Sequence, residues 1–323
     1  MANEKKKVNL IVPVYNEAEM LPLFFDATLK VVRELKEKKD FDFEFVFVND
    51  GSFDNTLEVI KDFASKDSLV KYISFSRNFG KEAAILAGLR YAGSEANADY
   101  TILIDGDLEH PPTLIPSMLK AVDEDGFKAA GAKRKPKFFS RMFVNINNKM
   151  SNIKIEKGAT DFMCMDKDFV KALLSLSETQ RFSKGLFAWV GYEIKWFDYE
   201  EIKRAKGKSK WNFGKLSSYA TDGLTSFSIA PLRVVTVLGI IICAGAFIYI
   251  IATLIKTFIT GIDVPGYVTT LCAVLFLGGI VVLAIGILGG YIGRIYLESK
   301  NRPLYILKET NIENDRKSDN KKE

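Results

Sequence analysis

Histidine occurs once in this chain and cysteine three times. A lone His110 excludes a site built from several imidazoles. Cys243 and Cys272 fall inside apolar runs and Cys164 stands alone, so neither a disulfide framework nor a zinc spacing can be assembled. Charge of either sign is missing from Val234 to Ile255, and again from Tyr267 to Ile292. Each run exceeds the ~20 apolar residues that cross a ~30 Å hydrocarbon core. Both lie too far from the N-terminus to be a signal peptide. A pair of buried core helices is the soluble alternative, but such helices seldom run this far without a charge. The excess of basic over acidic residues is modest, a formal +5, and no nucleic-acid-binding motif is found.

Two spans separated by Thr260–Gly266, a short turn holding Pro265, predict a membrane hairpin. Arg233 precedes it, and Arg294, Lys300 and Arg302 follow it. The positive-inside rule then assigns both termini and the large preceding domain to the cytoplasm of a cell-membrane, multi-pass protein. Gly286/Gly290 and Gly289/Gly293 form overlapping G-x-x-x-G patterns, which suit close helix packing within the hairpin or between subunits of a homo-oligomer. The expected organisation is an α/β domain over residues 1–210, an amphipathic juxtamembrane segment over 211–232, two spanning helices within 233–302 (about 233–259 and 267–293), and a polar tail over 303–323. From about Glu309 the tail is short and charge-mixed, and it is expected to be disordered.

In the first third of the chain, short apolar runs alternate with helical patterns. Val8–Val14, Phe43–Val48, Tyr72–Phe75 and Thr101–Ile104 read as buried strands. Between them Leu21, Phe24, Phe25, Leu29, Val32 and Leu35 recur at helical spacing, then Leu57, Ile60 and Phe63 behind a capping Asp54, then Lys81 to Tyr91. Strand–helix alternation predicts a mostly parallel sheet with helices on both faces. Such sheets bind ligands at the carboxyl ends of their strands. Asn16, Glu17, Asp50, Asp105 and Asp107 all stand just past a strand, along one rim. Asp105-Gly106-Asp107 offers two carboxylates one residue apart, suited to Mg²⁺ or Mn²⁺ bridging to diphosphate oxygens. A solvated turn is the plain alternative for any isolated D-x-D. Phe138, Phe139, Met142, Phe143 and Ile146 fall on one helical stripe, which suits either an interfacial helix or an ordinary core face.

Four segments stand in fixed order: Ile11-Val12-Pro13-Val14-Tyr15-Asn16-Glu17; Val48-Asn49-Asp50-Gly51-Ser52-Phe53-Asp54-Asn55-Thr56; Ser76-Arg77-Asn78-Phe79-Gly80-Lys81-Glu82; and Asp105-Gly106-Asp107-Leu108-Glu109-His110-Pro111-Pro112. Gly158-Ala159-Thr160-Asp161-Phe162, Arg181-Phe182-Ser183-Lys184-Gly185 and Arg204–Trp211 follow, then Phe227–Arg233 ahead of the spans. Together they resemble the family 2 glycosyltransferases of GT-A fold (Rossmann-like, mostly parallel sheet). More narrowly they resemble the polyprenyl-phosphate glycosyltransferases, among them the bactoprenol glucosyltransferases and dolichol-phosphate mannose synthases. The resemblance spans residues 7 to 302. Lys184 stands where many relatives have arginine, Glu109 where they often have glutamine, and Lys206-Gly207 departs from the usual Ala-Gly.

That resemblance implies a nucleotide-sugar site at Pro13, Tyr15, Glu17, Asp50 and Asp105. It implies a metal, Mg²⁺ or Mn²⁺, on Asp105, Asp107 and Glu109, and catalytic roles for Asp161 and Asp107. Arg134, Arg181, Lys184, Arg204, Lys206, Lys208 and Lys210 are the cations expected at the donor and acceptor phosphates, with Arg181 and Lys208 foremost. Arginine matches phosphate bidentately and lysine acts as a point charge. The implied reaction moves a sugar, from UDP-glucose or else UDP-N-acetylglucosamine, to undecaprenyl or another polyprenyl phosphate with inversion. The implied product serves cell-envelope glycans through a downstream flippase and a membrane glycosyltransferase. A processive polysaccharide synthase is disfavoured by the missing Gln-x-x-Arg-Trp and the small number of spans. An inactive sugar- or lipid-binding scaffold is disfavoured by the intact aspartates, and a lipid flippase by the same two spans.

Overall fold

The computed structural model describes residues 5–38, 41–136, 153–179, 181–200, 230–260 and 266–312, together with 141, 144, 145 and 148. The chain divides into two compact units, Met1–Leu216 with Arg302–Glu323, and Ser217–Asn301.

The first unit is built on one mixed sheet. Strand β1 (Lys6–Val14) and β2 (Phe41–Asn49) flank α1 (Leu21–Lys38); α2 (Thr56–Lys66) leads to β3 (Val70–Phe75), and α3 (Lys81–Arg90) to β4 (Tyr100–Leu103). Strands β4, β1, β2 and β3 lie side by side in that order, all parallel. Parallel strands are covered on both faces, and Val8, Leu10, Ile11 and Val12 of β1 are accordingly all fully buried. In β2 a phenylalanine falls at every second position from Phe41 to Phe47, which puts all four on one face. There they meet the helices. Phe25 of α1 lies 5.1 Å from the Phe45 ring and stacks at 4.5 Å on Phe63 of α2.

Beyond β4 the chain continues through α4 (Ile115–Asp123), β5 (Ala129–Lys133), β6 (Ala159–Asp166), α5 (Lys167–Leu174), α6 (Ser183–Trp189) and β7 (Ile194–Asp198). Strand β6 runs antiparallel between β4 and β5, and β7 runs parallel to β5. The α/β reading of the sequence holds, with a mostly parallel sheet that turns antiparallel where β6 enters.

The expectation of a disordered tail from about Glu309 is corrected as far as Ile312, and residues 313–323 lie outside the described residues. Residues Leu307–Thr310 form an eighth strand, β8, antiparallel on the open edge of β3. The Asn311 amide accepts from the Tyr72 N–H at 2.8 Å and donates to the Val70 carbonyl at 3.0 Å. Tyr305 stacks on Phe75 at 4.8 Å, and Glu309 pairs with Lys61 at 2.6 Å. A charge-mixed composition concealed a segment whose backbone satisfies an edge that would otherwise be exposed.

The second unit contains α7 (Ala230–Thr260) and α8 (Tyr267–Ser299). Among the described residues Phe276–Ser299 is long and apolar enough to cross a bilayer, and Val235–Tyr249 is a shorter apolar stretch. The striped segment 138–146 is largely outside the described residues, as is the juxtamembrane segment up to residue 229.

Candidate active site

The carboxyl ends of β1, β2 and β4 form one rim, and their loops are tied to each other. Asp50, directly after β2, is buried. Its backbone N–H donates to the Val14 carbonyl, and its carboxylate accepts the Phe79 and Gly80 N–H groups at 2.7 and 3.0 Å. Burial raises its pKa above the ordinary value, against these two bonds and Arg77. Gly51 makes the crossing feasible. It has φ +62, and a Cβ there would sit 2.2 Å from the Arg77 carbonyl carbon.

On the same rim Asn16, at φ 54, donates its N–H to Ser52 Oγ and accepts the Phe53 N–H. The Glu17 N–H donates to Thr56 Oγ1 at 2.9 Å, and the Glu17 carbonyl receives the first turn of α1. Asp54 accepts from Thr56 and Ala18. The Tyr15 ring stands edge-on to Phe53, at 6.1 Å. Pro13 is in β1, in register with Val48. The residues expected at the nucleoside are thus gathered on two cross-linked loops.

The second half of the site comes from the antiparallel pairing. Strands β4 and β6 align Leu103 with Met163. Carried two residues further, that register sets Asp105 opposite Asp161. Between them lies the ammonium of Lys81, the first residue of α3. Its Nζ is 2.8 and 2.9 Å from the two Asp105 oxygens and 2.6 Å from Asp161 Oδ2. Burial would lower the Lys81 pKa, but the two carboxylates hold it well above the usual lysine value. Burial likewise pushes Asp161 up, but Lys81 and Lys184 outweigh it and hold this carboxyl far below its ordinary range. Asp161 is ionised at any physiological pH. Gly158, at φ +80, brings the strand in closely; a Cβ there would lie 1.9 Å from the Arg134 carbonyl oxygen.

Asp107 has its pKa raised by burial and by Asp105, and its Oδ1 accepts the Glu109 N–H at 3.1 Å. Leu108 between them has φ 59, an uncommon backbone for leucine that aims the loop. His110 is buried, its ring 5.6 Å from Phe162; Nδ1 lies 3.9 Å from Asp105 Oδ2 and has no hydrogen-bond partner among the described residues. Burial lowers its pKa, so the ring is neutral.

Among the described residues, no three His, Cys, Asp or Glu side chains converge to hold a metal by themselves. Mg²⁺ is usually held by one or two carboxylates with water and substrate phosphates completing its shell. Asp105 and Asp107 supply that number, and the cation already drawn to Asp105, an ammonium, shows that the position favours positive charge. The residues therefore fit a divalent ion that arrives with a diphosphate.

The expected phosphate cations separate. Lys184 is near enough to Asp161 to depress its pKa. Arg134 reaches Glu109, with Nη1 3.4 Å from Oε2. The Arg181 guanidinium donates to the Leu173 and Leu176 carbonyls at the end of α5, at 3.1 and 2.9 Å, and so caps that helix. Arg204, Lys206, Lys208 and Lys210 are outside the described residues. Lys81, Glu82 and Ser183 were given no role from sequence. Glu82 accepts both the N–H and the hydroxyl of Ser183, which locks the first turn of α3 to that of α6. Their signal was membership of the Ser76–Glu82 and Arg181–Gly185 segments and, for Lys81 and Glu82, a place at the start of a helix on the same rim. A cavity of about 530 Å³ opens beside β6 and α6, lined by Thr160, Lys184, Phe187, Trp189, Tyr192 and Trp196 among others.

A mostly parallel sheet with paired aspartates past one strand and a facing aspartate across an antiparallel neighbour defines a GT-A glycosyltransferase domain. Residues 9–172 match the Glycosyl transferase family 2 profile, and residues 230–295 match the GtrB C-terminal hairpin. The chain is 45% identical to the glycosyltransferase CsbB of Bacillus subtilis, over 95% of this chain and 93% of that one. It is 41% identical to the prophage bactoprenol glucosyl transferase homolog of Escherichia coli, over 94% and 98%. The bactoprenol glucosyl transferase of Shigella phage SfV gives the same three values. Among solved structures, a glucosyl-3-phosphoglycerate synthase from Mycobacterium tuberculosis has a TM-score of 0.45 at 16% identity, covering 67% of this chain and 76% of that one. This chain belongs to glycosyl transferase family 2, within its polyprenyl-phosphate glycosyltransferases, and it is a membrane-associated enzyme.

Proposed function

We infer that the enzyme transfers glucose from UDP-glucose to undecaprenyl phosphate, or a polyprenyl phosphate like it, with inversion. The observation that carries this reading is the Asp105–Lys81–Asp161 bridge. It joins the rim where a nucleotide sugar would lie to a carboxylate near Lys184, which itself lines a cavity walled by aromatic rings and by polar groups. The relatives named for bactoprenol glucosyl transfer support the acceptor and make glucose the first sugar to test.

In the reaction, an oxygen of the lipid phosphate attacks the anomeric carbon from the face opposite the leaving group. The glycosidic C–O bond breaks, and the nucleoside diphosphate departs with its electron pair. Tyr15, Glu17 and Asp50, with the loops they occupy, hold the nucleoside. Asp105 and Asp107 would hold Mg²⁺ or Mn²⁺ at the diphosphate, with Glu109 beside them. That ion, when bound, would offset negative charge growing on the leaving group. Asp161 orients the attacking phosphate through the ammonium groups beside it, Lys81 and Lys184. A phosphate monoester, with a second pKa of ~6, is mostly dianionic at neutral pH, and an aspartate held this far below its ordinary pKa is a poor proton acceptor. Lys184 and Arg134 meet phosphate oxygens, and the aromatic wall of the cavity suits the first isoprene units.

The basic residues that flank the hairpin, Arg233, Arg294, Lys300 and Arg302, support a cytoplasmic assignment for both of its ends.

The test is a detergent-micelle assay with undecaprenyl phosphate, Mg²⁺ or Mn²⁺, and a panel of radiolabelled UDP- and GDP-sugars. The expected result is label in an organic-extractable lipid from UDP-glucose, lost in Asp161→Asn and in Asp107→Asn. Label from UDP-N-acetylglucosamine alone would replace the sugar and keep the reaction. No label from any donor would overturn the reading.

A further inference from the structure

The Lys81 ammonium takes both oxygens of Asp105, the carboxylate best placed to receive a divalent ion. A divalent ion binds carboxylate oxygens at ~2.0–2.2 Å, and it would stand against the ammonium on the same two atoms. A divalent ion on Asp105 would take at least one of those two oxygens from the ammonium and repel it from the other. Of the three groups Lys81 is the one free to move. Its side chain is 42% exposed, against 23% for Asp105 and 18% for Asp161. Its backbone, by contrast, is fixed, because the next residue, Glu82, is bonded to Ser183 and the loop just before it to Asp50. A flexible four-carbon stem can swing while its root stays put.

We propose that Lys81 is an exchangeable resident cation. It neutralises Asp105 and Asp161 until donor and metal arrive, releases Asp105 to the metal, and then bridges Asp161 to a diphosphate oxygen. The proposal rests on the donor reading above in assuming that a diphosphate and a divalent ion enter together. A metal arriving alone must displace an ammonium that has only Asp161 left to pair with. A metal arriving with a diphosphate gives the displaced ammonium a new anion. Metal and nucleotide therefore assist each other, and by reciprocity each raises the affinity of the other by the same factor.

The test uses the full-length protein in detergent and follows Mn²⁺ binding by electron paramagnetic resonance, with and without UDP. The parent should bind Mn²⁺ weakly alone and at least ~10-fold more tightly with UDP. In Lys81→Met, Mn²⁺ binding without UDP should tighten by ~10-fold or more, and the effect of UDP should shrink. Lys81→Arg, which keeps the charge, should behave as the parent does. Equal Mn²⁺ affinity with and without UDP in the parent overturns the proposal. So does unchanged or weaker Mn²⁺ binding in a Lys81→Met protein whose thermal melt remains cooperative. If Lys81→Met does not fold, Lys81→Gln takes its place with the same two outcomes. Sugar transfer is not read in this experiment, so tighter Mn²⁺ binding in the Lys81 variant, beside a parent that transfers no sugar, keeps the exchange and loses the function.

Discussion

Asp50 spends one carboxylate on two backbone N–H groups, those of Phe79 and Gly80. An amide has one acceptor oxygen and turns an NH₂ toward the other donor. Asp50→Asn should therefore leave one buried N–H without a partner, at a cost of about 1–3 kcal/mol. Because the loop it holds leads into Lys81, donor affinity should fall as well; a thermal melt and a UDP titration check the two effects. Asp161 gives a prediction in pH. Its folded pKa is depressed, chiefly by Lys81 and then Lys184, against burial. Its ionised form therefore adds stability that is complete above the unfolded value of ~3.9 and fades as pH falls towards the folded one. Lys184→Met removes part of that depression. The variant should be less stable than the parent by a constant amount from pH 7 down to about 4, and the gap should close below that. A gap that opens only in acid would contradict the assignment. At this scale the sequence marked Asp50, Asp105, Asp107 and Asp161 through their motifs. It did not mark Lys81, because a lysine opening a helix looks the same whether it meets solvent or two carboxylates. For Arg181 the sequence offered a guanidinium suited to phosphate, but not the carbonyls at the end of α5 that it meets.

At the scale of elements, local periodicity made β1 to β4 and the helices between them readable, since each is buried with a period set by its own backbone. The pairing of β6 with β4 was not readable. An antiparallel neighbour entering a parallel sheet is a long-range choice, and the alignment of Asp105 with Asp161 depends wholly on it. The same limit hid β8, four residues that gain their order from the edge of β3. Truncation after Pro303 should uncover that edge, lower the melting temperature and promote aggregation. Truncation after Asn314 keeps β8 and Asn311 and should leave the melting temperature unchanged. Equal melting temperatures for the two truncations would show that β8 adds nothing.

At the scale of the whole molecule, the two charge-free runs read as a hairpin, and residues 230–295 match the GtrB C-terminal hairpin. With basic residues on both flanks of that hairpin, its turn should face away from the cytoplasm. Cysteines introduced one at a time at Asp263 and Ser318 test this in intact cells with a membrane-impermeant maleimide. Asp263→Cys should label from outside, and Ser318→Cys only after the cells are opened. Labelling of both from outside would contradict the arrangement.

The central claim is that a sugar passes to a lipid monophosphate with inversion. The most direct measurement is mass spectrometry and NMR of the lipid formed from undecaprenyl phosphate and UDP-glucose by the parent enzyme. The account predicts a monophosphate bearing one hexose, its anomeric carbon inverted to β from the α-linked donor. A diphosphate-linked sugar, a retained α anomer or an unmodified lipid would contradict it.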